Sequence, residues 1–286
     1  MIDIKTARIK KGNKVKIEAQ GLTKINRIKD VNFTLRPNDR LALIGPNGAG
    51  KTTLLQMLLG LIRPDHGKLN TDGIKFQAVF QGNLLDESLS IFQNLKFRVK
   101  NISELKKAQK MLSFFGLHHL KQKYGSLSGG EKRIVNFIRA MMSSPQVLVL
   151  DEMSAGMDVS IKHQVWQQIN TILDRNRIAL IYITHSLEEL RYANSVLFLL
   201  NGRQKYFGSL KKFASQLPKY KLILYAKNNS LLETQREPQA IKFFETAKEA
   251  LVYLNSKIKI QDFDFELKHT SFADLFLNIK GKTHAS

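Results

Sequence analysis

One stretch of the chain has the residue types and spacing of a phosphate-binding loop. GPNGAGKT, residues 45–52, fits the pattern G-x-x-x-x-G-K-[ST], with an apolar run before it and an apolar, helix-like run after it. Glycines let the backbone approach a phosphate, and the first N–H groups of a helix point at it. The Lys51 ammonium would neutralise phosphates, and the Thr52 hydroxyl would help to hold Mg²⁺. We therefore predict a nucleotide site formed by Gly45, Pro46, Asn47, Gly48, Ala49, Gly50, Lys51, Thr52 and Thr53.

Two adjacent carboxylates follow another apolar run. VLVLDE ends in Asp151 and Glu152. The carboxyl ends of parallel strands open into the ligand crevice, so this pair would lie near the phosphate loop. Asp151 could hold Mg²⁺ directly or through water, and Glu152 could orient and deprotonate an attacking water. His185 and Gln81 also follow apolar runs, but each is a weak signal by itself, and a lone histidine in such a place is more often structural.

The stretch LSGGEKR, residues 127–133, has two interpretations from its chemistry. Ser128 and Glu131 have the spacing of a helix capping box. Gly129 and Gly130, however, cost conformational entropy that a cap does not require, and they would let an anion approach the helix N-terminus. The residues alone leave both interpretations open.

The elements that must position these residues follow an α/β pattern. The first 44 residues suggest strands, KTTLLQMLLGLI suggests a helix closed by Pro64, and residues 88–142 suggest a helical insertion. A strand, a helix over 159–175 and another strand then follow. From residue 213 the pattern changes to strands with one helix, which predicts a small α+β domain over 213–286.

Composition narrows the class of protein but does not identify its partner. The 286-residue chain has 45 basic and 24 acidic side chains, a net charge of +21, and no cysteine. This charge favours an anionic partner such as a nucleotide, nucleic acid or an acidic membrane surface. No N-terminal stretch has the pattern of an export signal, and no apolar run reaches the roughly 18 residues of a membrane span. We expect a soluble, cytoplasmic protein.

Taken together, the motifs resemble those of the ATP-binding-cassette (ABC) ATPases. GPNGAGKTT resembles their Walker A loop, VLVLDE their Walker B strand and LSGGEKR their signature. Gln81 stands at the Q-loop position, His185 at the switch position, and SAGMD, residues 154–158, resembles the D-loop. These motifs follow the family's order over roughly residues 15–212.

The resemblance implies a fold and a mechanism. The fold would be a P-loop NTPase core over residues 1–212, with an antiparallel β subdomain and a helical subdomain, plus the small C-terminal domain. Family members pair head to tail, so each Walker A nucleotide, ATP with Mg²⁺, meets the partner's signature loop. By this resemblance Glu152 would be the general base, and Gln81 and His185 would sense Mg²⁺, water and γ-phosphate. Mg²⁺ would be held by Thr52, Gln81 and Asp151, and the partner's ATP by Ser128, Gly129, Gly130 and Glu131.

The end of the chain resembles a narrower group within the family. SFADLFLNIKG, residues 271–281, and QGNLLDESLSIFQNL, residues 81–95, are similar to segments of exporter ATPase subunits. This implies an exporter subunit that works with a separate membrane-spanning permease, on the inner face of the cell membrane, as a homodimer or heterodimer of ATP-binding subunits.

Three departures from the family pattern accompany this resemblance. Ile25 or Asn26 stands where an aromatic residue usually stacks on adenine, Met153-Ser154 replaces Pro-Thr, and Val159 replaces proline. Two alternatives therefore remain open. One is a soluble ABC ATPase acting on nucleic acid or ribosomes, and the other is a regulatory cassette with weak hydrolysis. No specific nucleic-acid partner is expected for the leading interpretation.

Overall fold

The computed structural model describes residues 16–80, 82, 85–97, 99, 101–215, 218–226, 239–257 and 263–270. Within these ranges the chain divides into two compact units. One unit contains the residues up to 184 together with 188–208, and the other contains 185–187 together with the residues from 209 onward.

The first unit contains a nine-stranded sheet in the described part of the chain. The strands run in the order β4-β1-β2-β9-β8-β3-β7-β6-β5 across the sheet. At one end β1 pairs antiparallel with β2 and β4, whereas β3, β5, β6, β7 and β8 form a parallel part. The predicted α/β class with an antiparallel β part is confirmed. The bounds are β1 (Ile17–Lys24), β2 (Ile28–Leu35), β3 (Arg40–Ile44), β4 (His66–Asn70), β5 (Phe76–Val79), β6 (Val147–Asp151), β7 (Ala179–Ile183), β8 (Ser195–Leu200) and β9 (Arg203–Ser209).

The parallel strands are mostly apolar because both faces of a parallel sheet are covered. Every residue of β3 and β7 is buried, as are the first four of β6. The main core contains side chains from these strands together with Leu54, Leu55 and Leu58 of the helix that follows β3. The strand ends that carry the candidate chemistry are therefore held by a rigid core.

The helices of this part of the chain include the predicted helical insertion. Its helices are α2 (Ile91–Lys96), α3 (Ile102–Phe114) and α4 (Gly129–Met142). Elsewhere α5 (Val159–Asn176) lies between β6 and β7 in the chain, and the one-turn α6 (Leu187–Leu190) follows β7.

The prediction for the helix after the phosphate loop was wrong at its C-terminal end. The helix α1 (Lys51–Leu58) stops well before Pro64. Gly60 adopts a left-handed φ of 71° and donates its N–H to the carbonyl of Met57 at 3.0 Å. A left-handed glycine just beyond the last turn is a common helix terminator, so the apolar run continues without helix.

The second unit contains a three-stranded antiparallel sheet with the order β11-β10-β12. Its strands are β10 (Tyr220–Ala226), β11 (Ala240–Phe244) and β12 (Phe263–His269), and its helices are α7 (Leu210–Ala214) and α8 (Ala247–Lys257). Leu222 and Leu224 of β10 pack with Leu254 of α8 in a small core. The helix predicted for this part of the chain is present as α8, between β11 and β12. The exporter-like segment 271–281 lies outside the described residues.

Candidate nucleotide site

Three neighbouring strands of the parallel part end at one level of the sheet. Leu43 of β3 pairs with Ile183 of β7, and Ile183 pairs in turn with Asp151 of β6. The loop that begins at Gly45 and the residues that follow Asp151 therefore leave the sheet at the same edge. This edge is where ligands bind in open parallel sheets.

The backbone of the phosphate loop is fixed by close packing at one point and open at another. Gly45 has a φ of 155°, and a β-carbon there would lie 2.4 Å from the carbonyl oxygen of Leu199. Gly48 also has a positive φ, of 78°, but a β-carbon there would meet no atom within 4 Å. The loop is thus anchored against β8 at its start and leaves open space at its middle, where a phosphate needs room.

The start of α1 has the features of an anion-binding helix terminus. Gly50 is the N-cap residue, and no side chain caps the helix there. The first N–H groups of a helix have no partner within the helix, and the helix dipole favours an anion near them. Thr52 is exposed at this terminus and Thr53 is buried. The Thr52 hydroxyl is accordingly accessible to a ligand at the loop.

Lys51 lies buried inside the loop, with 8% of its surface exposed. Its ammonium donates to the carbonyl of Gly45 at 2.7 Å and to that of Pro46 at 3.0 Å. Burial lowers the pKa of Lys51, and the negative charges of Glu152 and Asp151 partly oppose this lowering. An ammonium carries three donors, so two backbone contacts leave one donor for an anion. A phosphate would relieve the cost of burying this charge.

The two carboxylates lie within electrostatic range of Lys51. Asp151 is the last residue of β6, and the N–H of Glu152 donates to the carbonyl of Ile183 at 3.3 Å. Glu152 has a φ of 51°, a left-handed conformation that is uncommon for a residue other than glycine. Such strain persists only where the surroundings hold it, and it is often found at functional sites.

For two of the predicted catalytic residues, Gln81 and His185, the structure adds little to the sequence prediction. Gln81 lies outside the described residues. His185 follows Thr184 directly at the end of β7, and its side chain is exposed. The roles assigned to both by resemblance stay predictions.

The capping-box interpretation of LSGGEKR describes the local structure. Ser128 is the N-cap of α4, and its hydroxyl accepts the N–H of Glu131 at 3.3 Å. The Glu131 carboxylate accepts the N–H of Ser128 at 2.8 Å. Gly129 remains exposed, with no atom near its added β-carbon position. The cap therefore uses the two side chains and leaves Gly129 accessible to an anion, so the two interpretations are compatible.

Gly130, the second glycine of this stretch, packs closely against another segment, which the sequence did not indicate. A β-carbon on Gly130 would lie 3.3 Å from the Cε atom of Met157. Close by, the guanidinium of Arg133 donates to the carbonyl of Ala155. The start of α4 thus packs on the segment 154–158.

Ile25 and Asn26, which stand where an aromatic residue usually stacks on adenine in the family, lie in the turn between β1 and β2. Ile25 is 61% exposed, and its N–H donates to the carboxylate of Asp65 at 2.8 Å. Lys24 forms an ion pair with the same carboxylate at 2.7 Å. Asn26 occupies the turn in a left-handed conformation with a φ of 63°.

Sequence reasoning missed a buried carboxylate behind the site. Glu189 of α6 is 5% exposed and accepts the hydroxyls of Ser154 and Thr184. The only available signal was the pair of acids in SLEEL, which is typical of the first turn of a helix and does not distinguish the buried acid from the exposed one.

Two other kinds of functional feature are absent from the described residues. No group of three or more His, Cys, Asp or Glu side chains could hold a metal ion in that part of the chain. In the same residues, every helix is too short or too polar to cross a membrane.

An α/β sheet with a glycine-rich loop and a buried lysine at its strand ends defines a P-loop nucleotide-binding domain. Residues 28–155 match the family model described as ABC transporter. The chain is 28% identical over 257 residues to the spermidine/putrescine import ATP-binding protein PotA of Fusobacterium nucleatum, covering 82% of this chain and 68% of that protein. It is 31% identical over 225 residues to the Nod factor export ATP-binding protein I of Neorhizobium galegae, covering 70% of this chain and 65% of that protein.

A solved structure agrees with these sequence matches. The fold resembles that of cbiO1 from Clostridium perfringens, described as part of an ABC transporter complex, with a TM-score of 0.64 and 25% identity over 72% of this chain and 92% of that one. These matches identify residues 28–155 as an ABC transporter ATP-binding domain. The chain spans about two thirds of the length of the two curated relatives named above.

Proposed function

We propose that this protein is the ATP-binding and ATP-hydrolysing subunit of an ABC transporter. The observation that supports this best is the buried Lys51 in a glycine loop, within electrostatic range of Asp151 and Glu152 at one edge of a parallel sheet. The relatives named above are transport proteins, which favours this function over action on nucleic acid or ribosomes.

The loop residues 45–53 would bind the phosphates of ATP. The open space at Gly48, the uncapped start of α1 and the buried ammonium of Lys51 all fit a polyphosphate. Mg²⁺ fits the exposed Thr52 hydroxyl and the Asp151 carboxylate, because Mg²⁺ in nucleotide sites keeps water and phosphate ligands and needs few from protein. When bound, Mg²⁺ neutralises charge that develops on the phosphates. Gln81 is proposed as a further ligand.

Glu152 would be the general base that takes a proton from the attacking water. It lies within electrostatic range of Lys51 and its backbone is held in an uncommon conformation. Gln81 and His185 are proposed to sense the γ-phosphate and the water. Their roles rest on the family resemblance.

The signature loop would serve a second cassette. Gly129 is exposed at the start of α4, and the Ser128 and Glu131 side chains hold that helix start in shape. We propose that residues 128–131 contact ATP bound by a partner chain, in a homodimer or a heterodimer. The pair would act with a membrane-spanning permease, peripheral to the inner face of the membrane, and the net charge of +21 would favour an anionic surface there.

Domain roles and transport direction belong to the same proposal. We propose a cassette over residues 1–212 and an accessory domain over 213–286. The import protein PotA named above matches more of this chain than the export protein does, and the similarities do not support the predicted exporter direction. Export stays a prediction that depends on the segment 271–281.

A pair of variants tests the proposed chemistry. Glu152→Gln should keep ATP affinity and lower turnover by about 100-fold or more, because the base contributes at the transition state. Lys51→Ala should abolish ATP binding. Glu188→Gln, an exposed carboxylate outside the loop and the strand ends, should resemble the wild type. Titration with a fluorescent nucleotide would measure ATP affinity, and phosphate release would measure turnover. Normal turnover in Glu152→Gln would refute its role, and no ATP binding by the wild type would refute the function.

A further inference from the structure

Glu189 joins two loops that leave the edge of the sheet carrying the candidate chemistry. One carboxylate oxygen accepts the hydroxyl of Ser154, and the other accepts the hydroxyl of Thr184 at 2.5 Å. Ser154 lies three residues beyond the end of β6, and Thr184 is the residue directly after β7. Both hydroxyls and the carboxylate are buried, with exposures of 1%, 2% and 5%. The three residues form one link between the two strand ends.

Neighbouring groups fix this link in one orientation. The indole N–H of Trp166 donates to the Ser154 hydroxyl oxygen at 3.3 Å, so that hydroxyl is directed at Glu189. The Tyr182 hydroxyl donates to the backbone carbonyl of Glu189 at 2.8 Å. The Lys162 ammonium lies 3.8 Å from the carboxylate and balances its charge. A buried carboxylate is costly unless it is hydrogen-bonded and charge-balanced, and here it is both.

Glu152 lies between the two ends of this link. Its N–H donates to the carbonyl of Ile183, one residue before Thr184. Its carbonyl accepts the N–H of Ala155 at 3.2 Å, one residue after Ser154. The left-handed backbone of Glu152 is therefore held from β7 on one side and from the Ser154 turn on the other. Glu189 is the side chain that connects these two supports.

We propose that Glu189 is a positioning residue for ATP hydrolysis. It holds the segment 154–158 against the end of β7 and thereby sets the orientation of the Glu152 carboxylate. This inference rests on the proposed function. It assigns Glu189 no contact with the nucleotide, so its loss should affect turnover and leave ATP affinity intact.

The first test separates turnover from binding. Glu189→Ala should lower kcat by about 10- to 100-fold, since small misplacements of a catalytic group have effects of this size. The Kd for ATP should stay within about threefold, because a residue without a ligand contact does not contribute directly to binding. Glu188→Ala, on the same helical turn but exposed, should match the wild type. Glu189→Gln should restore most activity, because an amide can accept one hydroxyl and donate to the oxygen of the other.

The second test does not depend on hydrolysis. Hydrogen exchange of backbone amides in residues 152–158, measured without nucleotide, should be faster in Glu189→Ala than in the wild type or in Glu188→Ala. If the wild type fails to hydrolyse ATP, the proposed function is wrong, and the exchange rates still decide whether Glu189 positions this segment. Unchanged exchange in Glu189→Ala overturns the inference.

Two further outcomes distinguish a positioning role of Glu189 from a merely structural one. A Glu189→Ala protein with a lower melting temperature but wild-type kcat would show a merely structural role and would also overturn the inference. If Glu189→Ala does not fold, Ser154→Ala and Thr184→Val each remove one hydroxyl from the link. Each should speed exchange in 152–158 and lower kcat with ATP affinity retained, and wild-type values in both would refute the inference.

Discussion

Replacing Gly45 by alanine tests whether the phosphate loop is anchored against β8. The added β-carbon would lie 2.4 Å from the Leu199 carbonyl oxygen, and the backbone would keep a φ of 155°. Backbone strain of this kind costs about 1–3 kcal/mol, and overpacking a close contact costs about another 1–3 kcal/mol. We therefore expect Gly45→Ala to lower the free energy of unfolding by about 2–6 kcal/mol, from a total that is typically about 5–15 kcal/mol.

Gly48→Ala is the matched control for this experiment. Gly48 lies in the same loop with a φ of 78°, so alanine there carries the backbone strain, but its β-carbon meets no atom within 4 Å. Urea unfolding followed by circular dichroism should give a loss at Gly45 that exceeds the loss at Gly48 by about 1–3 kcal/mol, with similar m-values. Equal losses at the two positions would refute the argument that contact with Leu199 anchors the loop.

Two further predictions concern buried side chains away from the nucleotide loop. Arg40→Met should lower the free energy of unfolding by about 1–3 kcal/mol, because the Ile178 carbonyl loses the donor that lies 2.7 Å from it. Asp174→Asn should cost under about 1 kcal/mol, since that side chain is 71% exposed, and a larger loss than for Arg40→Met would contradict this reasoning. Burial raises the pKa of Tyr124 to about 12, whereas the unfolded phenol titrates near its usual value, about 10. The wild type should therefore lose stability as the pH rises from about 10 to 12, and Tyr124→Phe should lose about 2 kcal/mol less over that range; identical slopes would contradict the shift.

The sequence predicted those parts of the site that depend on local patterns. Apolar runs that end at Gly45, Asp151 and His185 indicated parallel strands, and their register brings the three strand ends to one level. The Ser128 and Glu131 spacing predicted the capping box that the structure contains. Each of these features depends on residues that are close in the chain or on the regular geometry of a sheet.

The features that the sequence did not predict depend on contacts between distant residues. Ser154 and Glu189 are 35 positions apart, and their hydrogen bond follows from how α6 packs, which no local pattern encodes. Gly130 was interpreted only as room for a phosphate, whereas Met157 packs against it. The helix α1 ends at Leu58 although the apolar run continues, because Gly60 adopts a left-handed conformation that terminates the helix.

The position of β3 within the sheet has a consequence for how the chain folds during synthesis. The strand that delivers the phosphate loop is paired on both sides by β7 and β8, which lie far later in the chain. Pairing of distant segments is slow, and it cannot start on the ribosome until both partners have emerged. A fragment that stops before residue 179 would retain the complete GPNGAGKT motif but would lack both neighbours of β3. Nascent chains of that length would leave this apolar strand without its neighbours, a condition that favours aggregation and chaperone binding.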